Sequence, residues 1–453
     1  MTQEMTYPEH ARKMLALGLP LIGSQLAQVA VQVTDTVMMG WYGIEELAAL
    51  VLAHSIYFTT FVLGAGFAWA VMPVVASASE EGDEVQIRRV TRMGLWASLG
   101  FVLLVVGPFM LSEPLFLAMG QDPVIATLAS QYLRIAAWGL IPALLFMVIR
   151  SYLSGLERTQ IVLWVAVAGA VLNVFLNYIL IFGNFGAPEL GVRGAAIASV
   201  GVHCLSLIVA AIYAARSFPE HDLFARLWKP DWQAFGQVFR LGWPIGITNL
   251  AEVGLFAFSS IMMGWVGPQT LAAHGIALQL ISMTFMIHIG LSQAATIRAG
   301  RAFGRKDPEH LKKGALTGIA MSAAVAIITA TAFIVTPEPL VALFLDPNEP
   351  ARDAIIAICV SLLVAAAMFQ VADAMQVIAL GLLRGMQDTR VPMVLAAVSY
   401  WALGAPFAYI VAFPMGFEGL GIWLGLALGL TCAALAMMWR FWRRTLPSLS
   451  PRT

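Results

Sequence analysis

The chain has 453 residues, of which 60% are hydrophobic and only 11% are charged, and its formal net charge is zero. A soluble globular domain carries about 25% charged residues, so this chain lacks the polar surface that a water-soluble fold of its size needs. The balanced charge argues against nucleic acid as a partner, and the three cysteines have no spacing typical of a disulfide framework or a zinc site.

Apolar segments long enough to cross roughly 30 Å of hydrocarbon recur along the whole sequence. They predict an all-α integral membrane protein, embedded in a lipid bilayer, with twelve transmembrane helices. In chain order the segments fall at residues 14–40, 46–77, 92–112, 124–153, 160–183, 191–215, 237–266, 269–299, 314–336, 353–383, 391–413 and 418–441.

The basic residues indicate the orientation of these helices. With twelve spans, Arg134, Arg193 and Arg352 lie on one side of the membrane, and the other 23 of the 26 Lys and Arg residues are assigned to the side of the two termini. That larger set includes Arg150 and Arg384, which lie at the C-terminal ends of predicted helices. The positive-inside rule makes this side the cytoplasm, so we expect a multi-pass protein with both termini cytoplasmic.

An internal repeat divides the chain in two. Leu17–Pro20 matches Leu241–Pro244 and Met38–Trp41 matches Met262–Trp265, and the offset between the copies is the same in both cases (244 − 20 equals 262 − 38). We call this constant spacing the repeat offset. Two parallel halves are a plan that transporters use, although duplication could also serve only to enlarge a stable bundle. The predicted domains are an N-lobe, a cytoplasmic linker and a C-lobe, at residues 1–216, 217–236 and 237–453.

Three acidic residues lie inside the predicted helices, away from their first residues: Asp35, Glu252 and Asp373. A carboxylate in the middle of the membrane costs at least about 2.5 kcal/mol, so it must face a cavity or a partner, and such residues are functional by default. The structural alternative is a polar network that links helices. We interpret the three acids as candidates for binding an ion, a proton or a cationic substrate.

Uncharged polar residues accompany these acids and are candidates for lining a substrate cavity. Under the repeat offset, Glu252 takes the place of Gln28 and Ser259 that of Asp35. Asn173 and Asn177 lie one helical turn apart, a spacing that fits helix packing as well as ion binding. The candidate cavity residues are Gln28, Gln32, Asn249, Ser259 and Gln370.

Several of these segments together resemble one known family. The repeated LxxP…MMGW…LAA pattern, the segment 33–40 around Asp35, Leu383–Thr389, and Gln370–Ala374 around Asp373 are similar to the multidrug and toxic compound extrusion (MATE) transporters. Glu252 and Asp373 resemble the NorM-type branch in particular. The resemblance covers nearly the whole chain.

The resemblance implies two pseudo-symmetric six-helix lobes around a central cavity. It also implies a secondary active antiporter, not an enzyme, that exports cationic lipophilic drugs or dyes by alternating access in exchange for Na⁺ or H⁺. No cofactor is expected besides this coupling ion. We further expect a monomer in a bacterial-type inner (plasma) membrane.

The resemblance also assigns roles to individual residues. Asp35, with Asn173 and Asn177 near it, corresponds to the acid of the N-lobe, and Glu252 and Asp373 correspond to the acids of the C-lobe. A Na⁺ site is expected either at Glu252 and Asp373 or at Asp35 and Asn177. A further candidate for the drug site is Asp353, near the outer end of helix 10.

Two alternatives stay open at this stage. A lipid-linked oligosaccharide flippase of the same superfamily would line its cavity with Arg and Lys to bind pyrophosphate, and only Arg134 is a mid-membrane candidate here. A membrane-embedded enzyme would need an interfacial cluster such as paired His and Asp, and the sequence has none that we can identify.

Overall fold

The computed structural model describes residues 5–345 and 350–449. Within these ranges, twelve helices are long and apolar enough to cross a membrane, which confirms the predicted number. Two short helices, Ser112–Ala118 and Pro337–Ala342, lie in the connections that follow the third and ninth of them. The twelve are labelled α1 (Tyr7–Tyr42), α2 (Ile44–Glu81), α3 (Glu84–Met110), α4 (Pro123–Gly155), α5 (Thr159–Phe182), α6 (Val192–Ser217), α7 (Trp232–Val266), α8 (Pro268–Arg305), α9 (Pro308–Val335), α10 (Arg352–Gly385), α11 (Arg390–Ala412) and α12 (Glu418–Leu449).

Several helices extend beyond the apolar segments that predict them. Helix α3 begins at Glu84 and α9 at Pro308, several residues before the apolar stretches start. In each case an aspartate precedes the helix and its side chain accepts a hydrogen bond from a free backbone N–H of the first turn: Asp83 from Gln86 and Asp307 from His310, both at 2.9 Å. Such N-caps stabilise a polar first turn, which hydropathy alone does not detect.

The described chain forms two compact units. Unit 2 is Gly23–Gly246, and unit 1 joins Met1–Ile22 to Ile247–Thr453. These boundaries differ from those of the predicted lobes, because α1 and α7 each contribute their first turns to one unit and the rest to the other. The two points of division are separated by the repeat offset (246 − 22), so they follow the sequence repeat. The lobes as predicted from the repeat remain a prediction.

The two units share one packing pattern. In unit 2, α4 packs against α2, α3 and α6, and α5 packs against α6. In unit 1, α10 packs against α8, α9 and α12, and α11 packs against α12. Each contact in one unit thus has its counterpart six helices later. The structure therefore repeats the relationship that the sequence motifs predict.

Helix α11 contains a π-helical segment, Val398–Gly404, where it packs closely on α12. A Cβ added to Gly404 would lie 3.0 Å from the Cα of Gly429, so the two backbones meet without intervening side chains. Segments of π-helix inside α-helices often mark functional sites. This one carries Tyr400 and Trp401, whose contacts are described below.

Candidate functional site

Asp35 lies at the centre of a buried polar cluster in unit 2. Its side chain is 5% exposed, and one carboxylate oxygen, Oδ1, accepts hydrogen bonds from the amides of Asn173 at 2.9 Å and Asn177 at 2.6 Å. The hydroxyl of Ser199 donates to the other oxygen at 3.4 Å. Asn173 and Asn177 can both reach Asp35 because residues four apart share a face of α5. The structure therefore brings three of the predicted residues together, and adds Ser199.

A cavity of about 170 Å³ in unit 2 opens next to Asp35. Its polar lining includes Gln28 and Gln32, as predicted, and also His54 and His203, which the sequence patterns did not connect. Ser199 and Ser206 add two hydroxyls, and the rest of its walls are mainly apolar and aromatic; no Lys or Arg side chain is among the described residues that line it. The aromatic residues are Tyr57, Phe58, Phe61, Tyr132 and Phe146.

This cavity combines one carboxylate with aromatic faces and amide oxygens. Such a lining suits a lipophilic cation, because the carboxylate attracts its charge and the rings contact its apolar and cationic parts. Within the described residues, no hydrogen-bond partner reaches the side-chain oxygen of Asn177. The cluster thus offers an unpaired amide oxygen beside a carboxylate, which is the kind of oxygen donor that small hard cations prefer.

Unit 1 contains the other two acids. Asp373 on α10 is 1% exposed and Glu252 on α7 is also buried. Glu252 lies within electrostatic range of Asp373 and of the guanidinium of Arg384. Arg384 in turn donates a hydrogen bond of 2.9 Å to the side-chain oxygen of Asn249. The structure thus places the two acids and Asn249 in one cluster and adds the positive charge of Arg384, which the sequence alone places at a helix end.

A row of unpaired oxygens lies along α10 in this cluster. Gln370, Asp373 and Gln376 are spaced three residues apart and therefore lie near one another along the helix. In the described part of the chain, one side-chain oxygen of each has no hydrogen-bond partner. The amide nitrogen of Gln370 contacts His288 Nε2 at 3.2 Å, which leaves the Gln370 oxygen free. Buried acceptors are normally paired, so three unpaired ones on one helix leave oxygens that are able to accept a cation or a proton.

The π-helical segment of α11 supplies two further residues to this cluster. Gln376 donates to the hydroxyl of Tyr400 at 2.6 Å, and the Trp401 indole N–H donates to the backbone oxygen of Ala251, next to Glu252, at 3.1 Å. Sequence reasoning missed both residues. A Tyr-Trp pair inside an apolar segment was the available signal, because buried Tyr and Trp usually need a polar partner.

Two predicted residues lie apart from the acids. Ser259, at the position equivalent to Asp35, donates to the backbone oxygen of Phe256 at 2.7 Å and lies 3.4 Å from His274 Nε2. Asp353 is in the first turn of α10, where its side chain is 98% exposed. Twenty residues separate it from Asp373, roughly 30 Å along a helix. The structure does not bring Asp353 together with the buried acids.

The structure shows where the side chain of Arg150 lies. Arg150, counted among the residues at helix ends, is only 3% exposed and donates to Ser24 at 2.9 Å and to Gln25 at 3.0 Å. It is buried because its long side chain extends from α4 to α1, where two polar groups accept its hydrogen bonds. Arg134, the mid-membrane candidate, forms an ion pair of 3.2 Å with Glu113.

The family model MatE matches residues 20–179 and 244–410 of this chain. The chain belongs to the MatE family. The starts of the two matched segments are separated by the repeat offset (244 − 20), so the match follows the internal repeat of this MatE protein. Among the residues that the structure describes, no group of three or more His, Cys, Asp and Glu side chains could hold a metal ion.

Curated relatives match over almost the full length of this MatE chain. A protein of Rhizobium meliloti (strain 1021), named probable multidrug resistance protein NorM, is 46% identical over 97% of this chain and 94% of its own length. One of the same name from Agrobacterium fabrum is 45% identical over 95% and 93%. The resemblance to the NorM-type branch is thereby confirmed.

Solved structures support the same fold. The outward-facing conformation of a multidrug resistance MATE family transporter of the MOP superfamily superposes with a TM-score of 0.87, at 20% identity, over 98% of this chain and 97% of that one. The eukaryotic MATE transporter AtDTX14 gives a TM-score of 0.86 at 18% identity, with 98% of both chains covered. The chain therefore has the two-lobe, twelve-helix MATE fold.

Proposed function

We propose that this MatE protein is a secondary active multidrug efflux antiporter that exports lipophilic cations in exchange for Na⁺ or H⁺. The observation that carries the proposal is the pair of buried acidic clusters, each with a carboxylate and at least one side-chain oxygen that has no partner among the described residues. The multidrug resistance named for the relatives supports the export of drugs. The aromatic cavity beside Asp35, without Lys or Arg in its lining, supports a cationic substrate over a pyrophosphate-linked one.

The proposed mechanism is a competition for negative charge. A cationic drug binds near Asp35 while this carboxylate is free, and the coupling ion occupies carboxylates in the alternate state. An ion can change drug affinity only through its different affinity for the two states, and the drug must then change ion affinity by the same factor. The proposed ion site is either Glu252 with Asp373 in unit 1 or Asp35 with Asn177 in unit 2.

The proposed setting is a bacterial inner membrane with both termini in the cytoplasm. The distribution of Lys and Arg supports this orientation. Under it, efflux carries the drug from the side of the termini to the opposite side. We propose that a single chain suffices, since each unit contains a complete acidic cluster of its own.

The experiment is dye-cation efflux from proteoliposomes that contain the purified full-length protein, with a sodium gradient and a pH gradient imposed separately. The proposal expects efflux that responds to at least one inward gradient and stops when that gradient is abolished by an ionophore. Liposomes without protein are the control for passive leak. Efflux that ignores both gradients would refute the antiporter.

A further inference from the structure

The two units contain similar contacts between an arginine and helix α1 or α7. In unit 2, Arg150 on α4 donates to the side-chain oxygen of Gln25 on α1 at 3.0 Å. In unit 1, Arg384 on α10 donates to the side-chain oxygen of Asn249 on α7 at 2.9 Å. Gln25 and Asn249 are separated by the repeat offset (249 − 25) and therefore occupy the same place in the repeat. Helices α4 and α10 are likewise the fourth helices of the two halves.

Helices α1 and α7 are each divided between the two units, and each contact lies close to the point of division. Helix α1 enters unit 2 at Gly23 and α7 enters unit 1 at Ile247, so each amide lies two residues beyond the entry. Each contact is a hydrogen bond from a charged donor, which is stronger than a hydrogen bond between neutral groups. Each arginine therefore holds the entering helix at the point where it joins its own unit.

The two contacts differ in their electrical surroundings. Arg384 attracts Glu252, which lies one turn beyond Asn249 on α7. Arg150 has no acid at the corresponding place, because the residue equivalent to Glu252 is the neutral Gln28. The cluster in unit 1 contains two carboxylates and one guanidinium, a formal charge of minus one. A bound monovalent cation neutralises it and competes with Arg384 for Glu252.

We propose that Arg384 is a positioning residue that transmits cation binding at Glu252 to helix α7 through its hydrogen bond to Asn249. Arg150 with Gln25 is the comparable contact of unit 2, which shares the amide position but not the arginine position of the repeat, and it does not respond to an ion. The inference rests on the proposed function, since it takes Glu252 as a ligand of the coupling ion. It predicts that the two arginines differ in their effect on ion dependence, although each donates to the amide at the same place in the repeat.

The test measures dye efflux from proteoliposomes against the concentration of the driving ion, Na⁺ or H⁺, for Arg384→Gln and the matched variant Arg150→Gln. Arg384→Gln removes the internal positive charge, so its half-maximal ion concentration should fall about fivefold or more. Arg384→Lys keeps the charge and should return that concentration to within about twofold of wild type. Arg150→Gln should also stay within about twofold of wild type.

A second pair keeps both arginines in place, in case the first variants do not fold. Asn249→Leu removes the acceptor on α7, and Gln25→Met removes its counterpart on α1. The ratio of efflux with and without the ion gradient should fall about fivefold in Asn249→Leu and stay near wild type in Gln25→Met.

The outcomes separate the inference from the function it rests on. Equal ion dependence in Arg384→Gln and Arg150→Gln, or equal ratios in Asn249→Leu and Gln25→Met, would overturn the role of Arg384 while wild-type coupling stands. A wild-type protein that responds to neither ion gradient would overturn the proposed antiport, and this inference with it.

Discussion

The substitution Asp35→Asn should leave the stability of the fold nearly unchanged and strongly reduce transport. In Asp35→Asn the new side-chain oxygen can still accept from Asn173 and Asn177, and the new amide can donate to the Ser199 hydroxyl, so the geometry of the cluster allows the change. Hydrogen bonds to a charged group are worth about 1 kcal/mol more than neutral ones, so two of them lose about 2 kcal/mol. Removing the buried charge regains at least about 2.5 kcal/mol.

These opposing terms nearly cancel, so the variant should fold as well as the wild type. Its apparent melting temperature in detergent should lie within about 3 °C of the wild-type value. Transport should respond quite differently. A cation about 4 Å from the carboxylate gains about 4 kcal/mol at an effective dielectric constant of about 20, whereas a tenfold change in binding corresponds to about 1.4 kcal/mol. Dye efflux should therefore fall at least about tenfold.

The assay is initial-rate dye efflux from proteoliposomes, paired with a thermal melt of the same preparation. Ser199→Ala is the matched control, because it removes only the 3.4 Å bond and keeps the charge; its efflux should stay within about twofold of wild type. Wild-type efflux by Asp35→Asn would refute the role of the charge. A melting temperature lowered by more than about 10 °C would instead show that Asp35 mainly stabilises the fold.

Three further predictions follow from other parts of the structure. Asp373→Asn should abolish ion-coupled efflux while the protein still folds, whereas Asp353→Asn, an exposed acid on the same helix, should transport normally; equal losses in both would contradict the assignment. Burial lowers the pKa of His221, whose Nδ1 lies 2.6 Å from the Tyr152 hydroxyl. Because the folded state disfavours the charged ring, this histidine's contribution to stability should be lost as pH falls below its ordinary pKa of 6.5. Thermal melts should show this loss in wild type and a weaker pH dependence in His221→Gln. Gly425→Leu should destabilise unit 1 strongly, since a Cβ there would lie 2.3 Å from that of Ala408; an unchanged melting temperature would contradict the close packing of α11 on α12.

The sequence by itself determined the number of helices, the repeat and the three buried acids. Hydropathy has a direct physical basis in the length of the hydrocarbon core, and a charge inside an apolar segment is visible without coordinates. The repeated motifs likewise predict that the two halves correspond, and the matching contacts of α4 and α10 agree with this. Asn173 and Asn177 could be named as neighbours of Asp35 only by resemblance, because hydrophobic periodicity does not show which helices meet.

Only the tertiary structure decided which charges are buried and which residues they contact. Arg150 and Arg384 are close to helix ends in sequence, yet their long side chains extend inward to acceptors on α1 and α7. Asp353 and Asp373 are both acids within one predicted helix, but they are twenty positions apart, which is roughly 30 Å along a helix. A side chain's partners depend on the helices packed against it, and these contacts join residues more than a hundred positions apart.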